Sequence, residues 1–388
     1  MTALAGAHGT IAVALSGGVD SAVAAALLVG QGLPAVGITL RIWPSLRPAD
    51  PLERFDSCCS PGAVEDARGV AGILGIPYYV LNYEEEFDRE VIQYFTESYL
   101  RGETPNPCVS CNSRLKFGSL LRRARGWGAT AVATGHYARV ERDRVTGRYL
   151  LRRAVDARKD QSYFLYGLTQ EQLEAARFPI GHLRKEETRR LARELGLGVA
   201  EKPDSQEICF VPRDYRAYLQ ARVGSALSPG AIRDTSGAVR GKHPGVAFFT
   251  VGQRRGLGVG GSQALYVINL DPKRNEVIVG EDRDLWAHEV EVEQVNLIAV
   301  DRLIAPRRVL AKLRYAQVPA PATLEPRGED RVRLCFDDPQ RAVAPGQAAV
   351  FYDAEDPDLV MGGGTIRRRG HAGNGSEEGD GLPGSAHG

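Results

Sequence analysis

Cysteine is scarce in this chain of 388 residues, and charge of neither sign dominates it. Six cysteines are far too few for a scaffold held together by disulfides. Lysine and arginine number 49 against 48 aspartates and glutamates, which gives a formal net charge of +1. This balance excludes a protein that holds nucleic acid by bulk charge alone, although it leaves room for a local basic surface.

Long apolar runs are also missing. The most apolar stretch, residues 22–28, is soon interrupted by Gln31, Gly32 and Pro34, whereas a membrane span needs roughly 20 apolar residues. The N-terminus carries no lysine or arginine before its apolar run, so a secretory signal peptide is a poor interpretation. A cytoplasmic, reducing location is the default expectation, and there clustered cysteines suggest metal binding or catalysis.

The length predicts two or three domains, because 388 residues at roughly 150 per domain give about 2.6. The first two hundred residues alternate apolar runs with helical patterns, which predicts an α/β domain with a parallel, doubly wound sheet. Ligands bind at the carboxyl ends of the strands in such sheets. We expect strands at 11–15, 35–40, 78–81 and 129–134, helices at 20–30, 63–74, 84–100, 116–125, 171–176 and 185–195, and a hairpin at 139–151.

The character of the sequence changes near residue 213. Glycine and proline recur, and short β-rich runs appear at 246–251, 264–269 and 276–279, with more from 289 to 366. This pattern predicts a small, mostly β middle domain followed by a C-terminal β-barrel. We place the domains at 1–212, 213–285 and 286–368, with 369–388 as a disordered tail.

A glycine-rich turn, Ser16-Gly17-Gly18-Val19-Asp20-Ser21, separates the first predicted strand from the first helix. Backbone N–H groups in such a turn can approach a phosphate, and the helix N-terminus supplies partial positive charge. The turn lacks the lysine of a P-loop, and it does not match the dinucleotide motif GxGxxG. The alternative is a plain glycine turn in which Asp20 or Ser21 caps the helix.

Cys108 and Cys111 form a CxxC pair that follows two prolines. The segment from Asn112 onwards looks helical, so Cys111 is expected near a helix N-terminus, where a thiolate is stabilised. Cys209 follows much later, in a short strand-like run. A CxxC pair with a distant third cysteine fits a zinc site, thiol–persulfide chemistry, a three-cysteine iron–sulfur cluster, or unrelated buried thiols.

The other three cysteines suggest no chemistry. Cys58 and Cys59 are adjacent, and neighbouring cysteines do not easily bind one metal, so we interpret them as structural or incidental. Cys335 stands alone in an apolar β context and is expected to be a buried small hydrophobic residue.

The run SGGVDS resembles the pyrophosphate loop of ATP pyrophosphatases, which activate a carbonyl oxygen by adenylation. Together with other runs, the chain resembles the tRNA-specific 2-thiouridylase family over about residues 9–367. These runs are TPNPCVSCN, ATGHYAR, KDQSYFL, DSQEICF, FFTVGQRRGLGVGG, ALYVINLD, KLRY, APGQAAVFYD and GGGTI. The resemblance implies ATP-dependent replacement of the wobble uridine C2 oxygen by sulfur in tRNAs for Lys, Glu and Gln.

The resemblance also implies roles for individual residues. Cys111 matches the catalytic nucleophile, and Cys209 matches the cysteine that carries the persulfide. The implied ATP-binding residues are Ala14, Leu15, Ser16, Gly17, Gly18, Val19, Asp20, Ser21, Leu40 and Gly135, with Asp20 also helping to hold Mg²⁺. The implied tRNA-binding residues are Asn106, Pro107 and Cys108 at the target base, and His136, Lys159, Asp160, Gln161, Arg314, Tyr315 and Gln347 elsewhere.

Some family members have aspartate where this chain has Cys108. The cysteine completes the CxxC, so two mechanisms are compatible with the sequence. One uses a [4Fe–4S] cluster held by Cys108, Cys111 and Cys209, and the other is a persulfide route that ends in a Cys111–Cys209 disulfide.

Two rival functions are another ATP pyrophosphatase, such as an argininosuccinate synthase-like ligase, and a non-catalytic RNA-binding or iron–sulfur scaffold. For thiolation, the sulfur donor is expected to be a cysteine desulfurase or a relay of small sulfur carriers.

Overall fold

The computed structural model describes residues 9–42, 61–204, 208–211, 214–260 and 264–368. The helices are α1 (Val19–Gly30), α2 (Pro61–Leu74), α3 (84–100), α4 (107–125), α5 (Gln170–Ala175), α6 (Lys185–Glu194) and α7 (Tyr215–Val223). The strands are β1 (Thr10–Ala14), β2 (Ala35–Arg41), β3 (Tyr78–Asn82), β4 (Ala129–Ala133), β5 (Ala138–Arg142), β6 (Tyr149–Arg153), β7 (Ala176–Arg177), β8 (Gly230–Asp234), β9 (Val239–His243), β10 (Tyr266–Asp271), β11 (Glu276–Gly280), β12 (Trp286–Leu297), β13 (Arg307–Lys312), β14 (Ala320–Pro326), β15 (Val332–Arg341), β16 (Ala348–Asp353) and β17 (Val360–Ile366). Cys58, Cys59 and the predicted tail 369–388 lie outside the described residues.

The N-terminal sheet has five parallel strands in the order β3-β2-β1-β4-β7. Its central strands are short apolar runs that are buried on both faces, as parallel sheets require. Along β1, Ile11 and Val13 face a core shared with α1, α2 and α6, whereas Ala12 faces a core shared with α3 and α4. The α/β layer predicted from the strand–helix alternation is confirmed.

Two β domains follow. The strands β10-β11-β8-β9 form a four-stranded mixed sheet, and β12-β15-β14-β13-β16-β17 close into an antiparallel barrel. The barrel closes because β12 pairs with both β15 and β17. Alternate residues of its strands, such as Leu334 and Phe336, fill the interior. The predicted middle β domain and C-terminal barrel are therefore confirmed.

The barrel packs against the N-terminal domain through hydrogen bonds to backbone atoms. The Tyr163 hydroxyl donates to the Ala348 carbonyl of β16 at 2.9 Å. The Asn296 side chain of β12 donates to the carbonyls of Tyr166 and Leu168, at 2.6 and 2.9 Å. These contacts hold the barrel beside the segment that follows the β5–β6 hairpin. Across the described ranges, we find no helix with both the length and the apolar character that a membrane crossing requires.

Three local predictions were wrong. The helix expected to begin near Asn112 begins at Pro107, because Asn106 accepts a hydrogen bond from the Cys108 N–H and proline is favourable at the first helical position. The run 246–251, expected as a strand, contains the 3₁₀ turn Val246–Phe248, whose three residues are all buried instead of alternating. The strand-like run at Cys209 is a turn in its described residues, 208–211.

Candidate functional site

The glycine loop joins β1 to α1 in an open turn. The Ser16 N–H donates to the Ser21 hydroxyl at 3.1 Å, and that hydroxyl donates to the Gly18 carbonyl at 3.0 Å. Gly17 has a φ of +69°, and a Cβ there would overlap the Ala63 carbonyl of α2. Only glycine fits this backbone conformation and this close approach. The loop leaves the N-terminus of α1 facing the carboxyl edge of the sheet, where an anion is stabilised.

Gly135 lies two residues after the end of β4 and contacts the first turn of α1. A Cβ on Gly135 would come within 2.5 Å of the Ser21 nitrogen and 2.6 Å of the Asp20 carbonyl carbon. From β1 the chain adds β2 and β3 on one side, and then adds β4 on the other side of β1. The direction in which strands are added to the sheet therefore reverses between β1 and β4. Nucleotides bind at such switch points. The predicted ATP-binding residues gather at this edge, at the ends of β2, β1 and β4: Ala14, Leu15, Ser16, Gly17, Gly18, Val19, Asp20, Ser21, Leu40 and Gly135.

Asp20 belongs to an ion-pair network that links the glycine loop to the chain preceding Cys209. The Lys185 ammonium contacts both Asp20 carboxylate oxygens, at 2.7 and 2.9 Å, and an Asp204 oxygen at 2.7 Å. The Tyr137 hydroxyl also donates to Asp20, at 2.9 Å. Because the Lys185 side chain is only 8% exposed, these acceptors replace the water that a buried ammonium loses.

Sequence reasoning missed three members of this network. Tyr137 and Asp204 lie within matched runs, ATGHYAR and DSQEICF, but nothing in the sequence distinguished them from their neighbours. Lys185 lies 165 residues from Asp20 in a charged helix, and no spacing motif marks it. Only the fold brings these residues together.

Asp204 is the carboxylate of the network that three cationic side chains contact. Its partners are Lys185, Arg189 at 3.0 Å and Lys159 at 2.8 Å. Partial burial by itself raises the pKa of Asp204, but the Lys159 and Lys185 ammonium groups outweigh it and lower the pKa to about 2. The carboxylate is therefore ionised throughout the physiological range.

This shift predicts a pH dependence of stability. The folded pKa lies below the unfolded value of roughly 3.9, so Asp204 stabilises the fold above pH ~4 and loses that contribution as the pH falls towards 2. We expect about 2 kcal/mol between the limits. The free energy of unfolding, measured for the wild type and Asp204→Asn from pH 6 to pH 2.5, should show a wild-type advantage that shrinks below pH 4. A constant difference would contradict the assignment.

The CxxC pair lies in the first turns of α4. Asn106 caps the helix, Cys108 is its second residue and is exposed, and Cys111 lies one turn further in and is half-buried. The macrodipole acts mainly within the first turn, so it favours a Cys108 thiolate more than a Cys111 thiolate, contrary to the sequence prediction. From Cys111 to Leu120 the helix is π-helical, a form frequent at functional sites.

Two contacts hold the CxxC segment in place. The buried Asn112 side chain donates to the Phe164 carbonyl at 3.1 Å and fixes α4 to the segment that precedes α5. The Gln347 side chain, from the barrel, donates to the Thr104 carbonyl at 2.8 Å. The predicted tRNA-binding residue Gln347 thus supports the loop that carries Asn106 and Pro107.

Cys209 lies near the same helices. Its neighbour Phe210 packs edge-to-face against Phe87 and Phe95 of α3, with ring centroids 5.6 and 5.1 Å apart. The π-helical part of α3 in turn contacts the first turn of α4. The helix that carries Cys111 and the turn that carries Cys209 therefore both pack against α3.

The cysteines were also considered as ligands of a metal centre. Within the described ranges, no three or more histidine, cysteine, aspartate or glutamate side chains are grouped so that they could hold a metal ion. Cys108, Cys111 and Cys209 are not grouped in this way among those residues, and the [4Fe–4S] cluster stays a hypothesis. Cys335, expected to be buried, is half-buried because the barrel strand β15 points its neighbours Leu334 and Phe336 inward instead.

His136 joins the nucleotide edge to the cysteine helix. It follows Gly135, and its Nδ1 lies 2.7 Å from the Thr134 hydroxyl. Burial, with a smaller contribution from the Lys116 ammonium of α4, lowers the pKa of His136 well below its usual value. The imidazole is therefore neutral at physiological pH and can accept or donate a hydrogen bond.

The remaining predicted tRNA-binding residues are divided between interior and surface. Asp160 is buried and accepts hydrogen bonds from Ser162 and the Ala154 N–H, so it shapes its segment. Gln161 accepts the Tyr137 N–H at 3.0 Å, and Lys159 pairs with Asp204. In the barrel, Arg314 donates to the Arg341 carbonyl. Tyr315 is partly exposed, and its ring lies 4.5 Å from that of Phe164, whose carbonyl binds α4.

Comparisons with known proteins cover nearly the whole chain. A family model described as "tRNA methyl transferase HUP domain" matches residues 9–213. Models described as "tRNA methyl transferase PRC-barrel domain" and "Aminomethyltransferase beta-barrel domain" match residues 216–281 and 287–366. A solved 4-thiouridine synthetase–RNA complex with bound ATP aligns with a TM-score of 0.34 at 19% identity, over 56% of this chain and 51% of that one. A likeness at that level carries no argument.

Curated relatives are much more similar. The tRNA-specific 2-thiouridylase MnmA of Moorella thermoacetica (strain ATCC 39073 / JCM 9320) is 52% identical over 355 residues, which cover 91% of this chain and 98% of the relative. The protein of the same name from Clostridioides difficile (strain 630) is 46% identical over 359 residues, which cover 92% and 98%. On this identity and coverage, the chain belongs to the tRNA-specific 2-thiouridylase family.

Proposed function

We propose that this enzyme uses ATP to convert the wobble uridine of tRNAs for Lys, Glu and Gln into 2-thiouridine. One observation carries the proposal. Gly135 lies against the glycine loop, and the ring of the next residue, His136, packs against Phe178 at 6.0 Å, which in turn packs against Phe117 of the cysteine helix at 5.6 Å. The nucleotide edge and the CxxC helix are therefore neighbours, as an enzyme that adenylates a base and then delivers sulfur to it requires.

The first step is adenylation. The C2 oxygen of uridine attacks the α-phosphorus of ATP, and pyrophosphate leaves, so a poor leaving group is exchanged for AMP. The glycine loop and the N-terminus of α1 hold the phosphates. Asp20 fits a role in binding Mg²⁺, because a carboxylate has about four acceptor directions and Lys185 and Tyr137 occupy only part of them. Bound Mg²⁺ supplies charge neutralisation.

The second step delivers sulfur. Cys209 receives sulfur from a cysteine desulfurase or a small sulfur carrier and holds it as a persulfide. The Cys111 thiolate attacks the Cys209 sulfur of that persulfide, which forms a Cys111–Cys209 disulfide and releases hydrosulfide. Hydrosulfide attacks C2 of the adenylated uridine, and AMP leaves with the C2 oxygen. A dithiol reductant then supplies two electrons to reopen the disulfide.

The test is reconstitution from purified components. The protein, purified without oxygen, is incubated with unmodified tRNA, ATP, Mg²⁺ and a persulfide donor, with or without an iron chelator. Mass spectrometry of the digested nucleosides then counts 2-thiouridine. We expect equal 2-thiouridine in both arms. Formation only without the chelator would favour the cluster route. Absence in both arms, with tRNA still bound, would refute the proposed activity in favour of an RNA-binding scaffold.

A further inference from the structure

The glycine loop contains no lysine, but the fold brings Lys202 next to it. The Lys202 ammonium donates to the Gly17 carbonyl at 3.1 Å, although the two residues are 185 positions apart. The same ammonium contacts the Asp66 carboxylate of α2 at 2.7 Å. The backbone of Lys202 is fixed in turn by Arg189, whose guanidinium donates to its carbonyl at 3.0 Å. Lys202 is thus a positioned cation at the edge of the loop.

The charge of a bound triphosphate indicates a role for Lys202. A triphosphate carries several negative charges, whereas the loop Ser16–Ser21 contains no lysine or arginine to balance them. The second lysine nearby, Lys185, is 8% exposed and already shared between Asp20 and Asp204. Lys202 is 30% exposed and, among the residues that the structure describes, pairs with one carboxylate, that of Asp66, which is itself 41% exposed. An ion pair this exposed is weak, so its lysine can change partners at low cost.

We propose that Lys202 binds the phosphate chain of ATP beyond the α-phosphate, and that Asp66 holds its ammonium while nucleotide is absent. This inference rests on the proposed function, which puts the triphosphate at the glycine loop. Lys202 then does the work of a P-loop lysine from outside the loop. Asp66 and ATP compete for the Lys202 ammonium. Lys202 therefore raises the affinity for ATP, and Asp66 lowers it.

Calorimetric titration of the full chain with Mg²⁺·ATP and with AMP, without tRNA, tests this competition. Lys202→Ala should raise the Kd for ATP roughly ten- to a hundredfold and change the Kd for AMP by less than about twofold. Lys202→Arg should recover part of the ATP affinity. Asp66→Asn should lower the Kd for ATP by ~2- to 5-fold, because it removes the competitor. The double variant should match Lys202→Ala, because Asp66 acts only through Lys202.

Glu201→Gln is the matched control. Its carboxylate pairs with Arg193 at 3.0 Å on the neighbouring exposed surface, and its loss should leave both affinities unchanged. The proposal is overturned if Lys202→Ala, folded as judged by its Tm, keeps wild-type ATP affinity or loses ATP and AMP affinity equally. It is also overturned if Asp66→Asn weakens ATP binding.

Failure of this inference differs from failure of the proposed ATP site. If Gly135→Ala abolishes ATP binding while Lys202→Ala does not, only the role of Lys202 is wrong. If a folded Gly135→Ala protein binds ATP with wild-type affinity, the nucleotide does not occupy this edge of the sheet, and both proposals fall.

Discussion

Replacing Cys111 with serine is expected to lower 2-thiouridine formation by roughly a thousandfold or more, while tRNA-dependent pyrophosphate release continues. Serine keeps the size of the side chain but supplies no thiolate, so cleavage of the persulfide stops. Adenylation takes place at the glycine loop and does not need the thiolate, so it continues. Cys209→Ser should show the same separation of the two products. Pyrophosphate release and nucleoside mass spectrometry on the same sample measure both.

Cys335→Ser is the matched control, because Cys335 is a half-buried cysteine in the barrel strand β15. It should keep both activities. Cys108→Ser, assayed at saturating tRNA because Cys108 is also a predicted tRNA contact, separates the two sulfur routes. The persulfide route uses only Cys111 and Cys209, so 2-thiouridine should still form, whereas a three-cysteine cluster would be lost. If Cys111→Ser makes 2-thiouridine at the wild-type rate, Cys111 is not the nucleophile. An amide-forming ATP pyrophosphatase would keep its activity in all of these variants.

The order of layers could be predicted because it depends on local patterns. Short apolar runs that alternate with helical segments specify a parallel sheet, and the glycine turn after β1 marks its nucleotide edge. β1 (Thr10–Ala14) and β2 (Ala35–Arg41) were each predicted to within one residue at either end. The later β runs predicted a barrel, although not which strands would close it.

The start of α4 could have been found in the sequence. Asn106 followed by Pro107 is a strong N-terminal signal, because asparagine caps the helix and proline fits its first position. The predicted start, Asn112, lies five residues after the observed start, Pro107. The error matters for the chemistry, because the prediction put Cys111 at the helix terminus, whereas Cys111 lies one turn inside the helix.

The charged network could not have been found in this way. Lys185, Lys202 and Asp204 lie far from the glycine loop in sequence, and lysine and aspartate are common residues with no characteristic spacing here. Their roles depend on which side chains the fold buries together. A buried ammonium needs carboxylate partners, so these ion pairs can be predicted only once it is known which lysines are buried.

Gly135→Ala is expected to raise the Kd for ATP by roughly a hundredfold or more. The added Cβ would lie 2.5 Å from the Ser21 nitrogen, and backbone atoms cannot move aside as a flexible side chain can. Either β4 or the first turn of α1 must shift, so the donors around the phosphates lose their alignment. Calorimetric titration with Mg²⁺·ATP measures the loss, and pyrophosphate release should fall with it.

The matched control is the same substitution at an open position. Gly69 lies on the exposed face of α2, and a Cβ there would meet no atom within 4 Å. Gly69→Ala should keep wild-type ATP affinity and stabilise the protein by about 0.5–1 kcal/mol, because alanine loses less backbone entropy in a helix. If both variants bind ATP with wild-type affinity, the nucleotide does not occupy this edge of the sheet. If only Gly135→Ala fails, with its Tm little changed, the packing of β4 against the glycine loop is what shapes the ATP site.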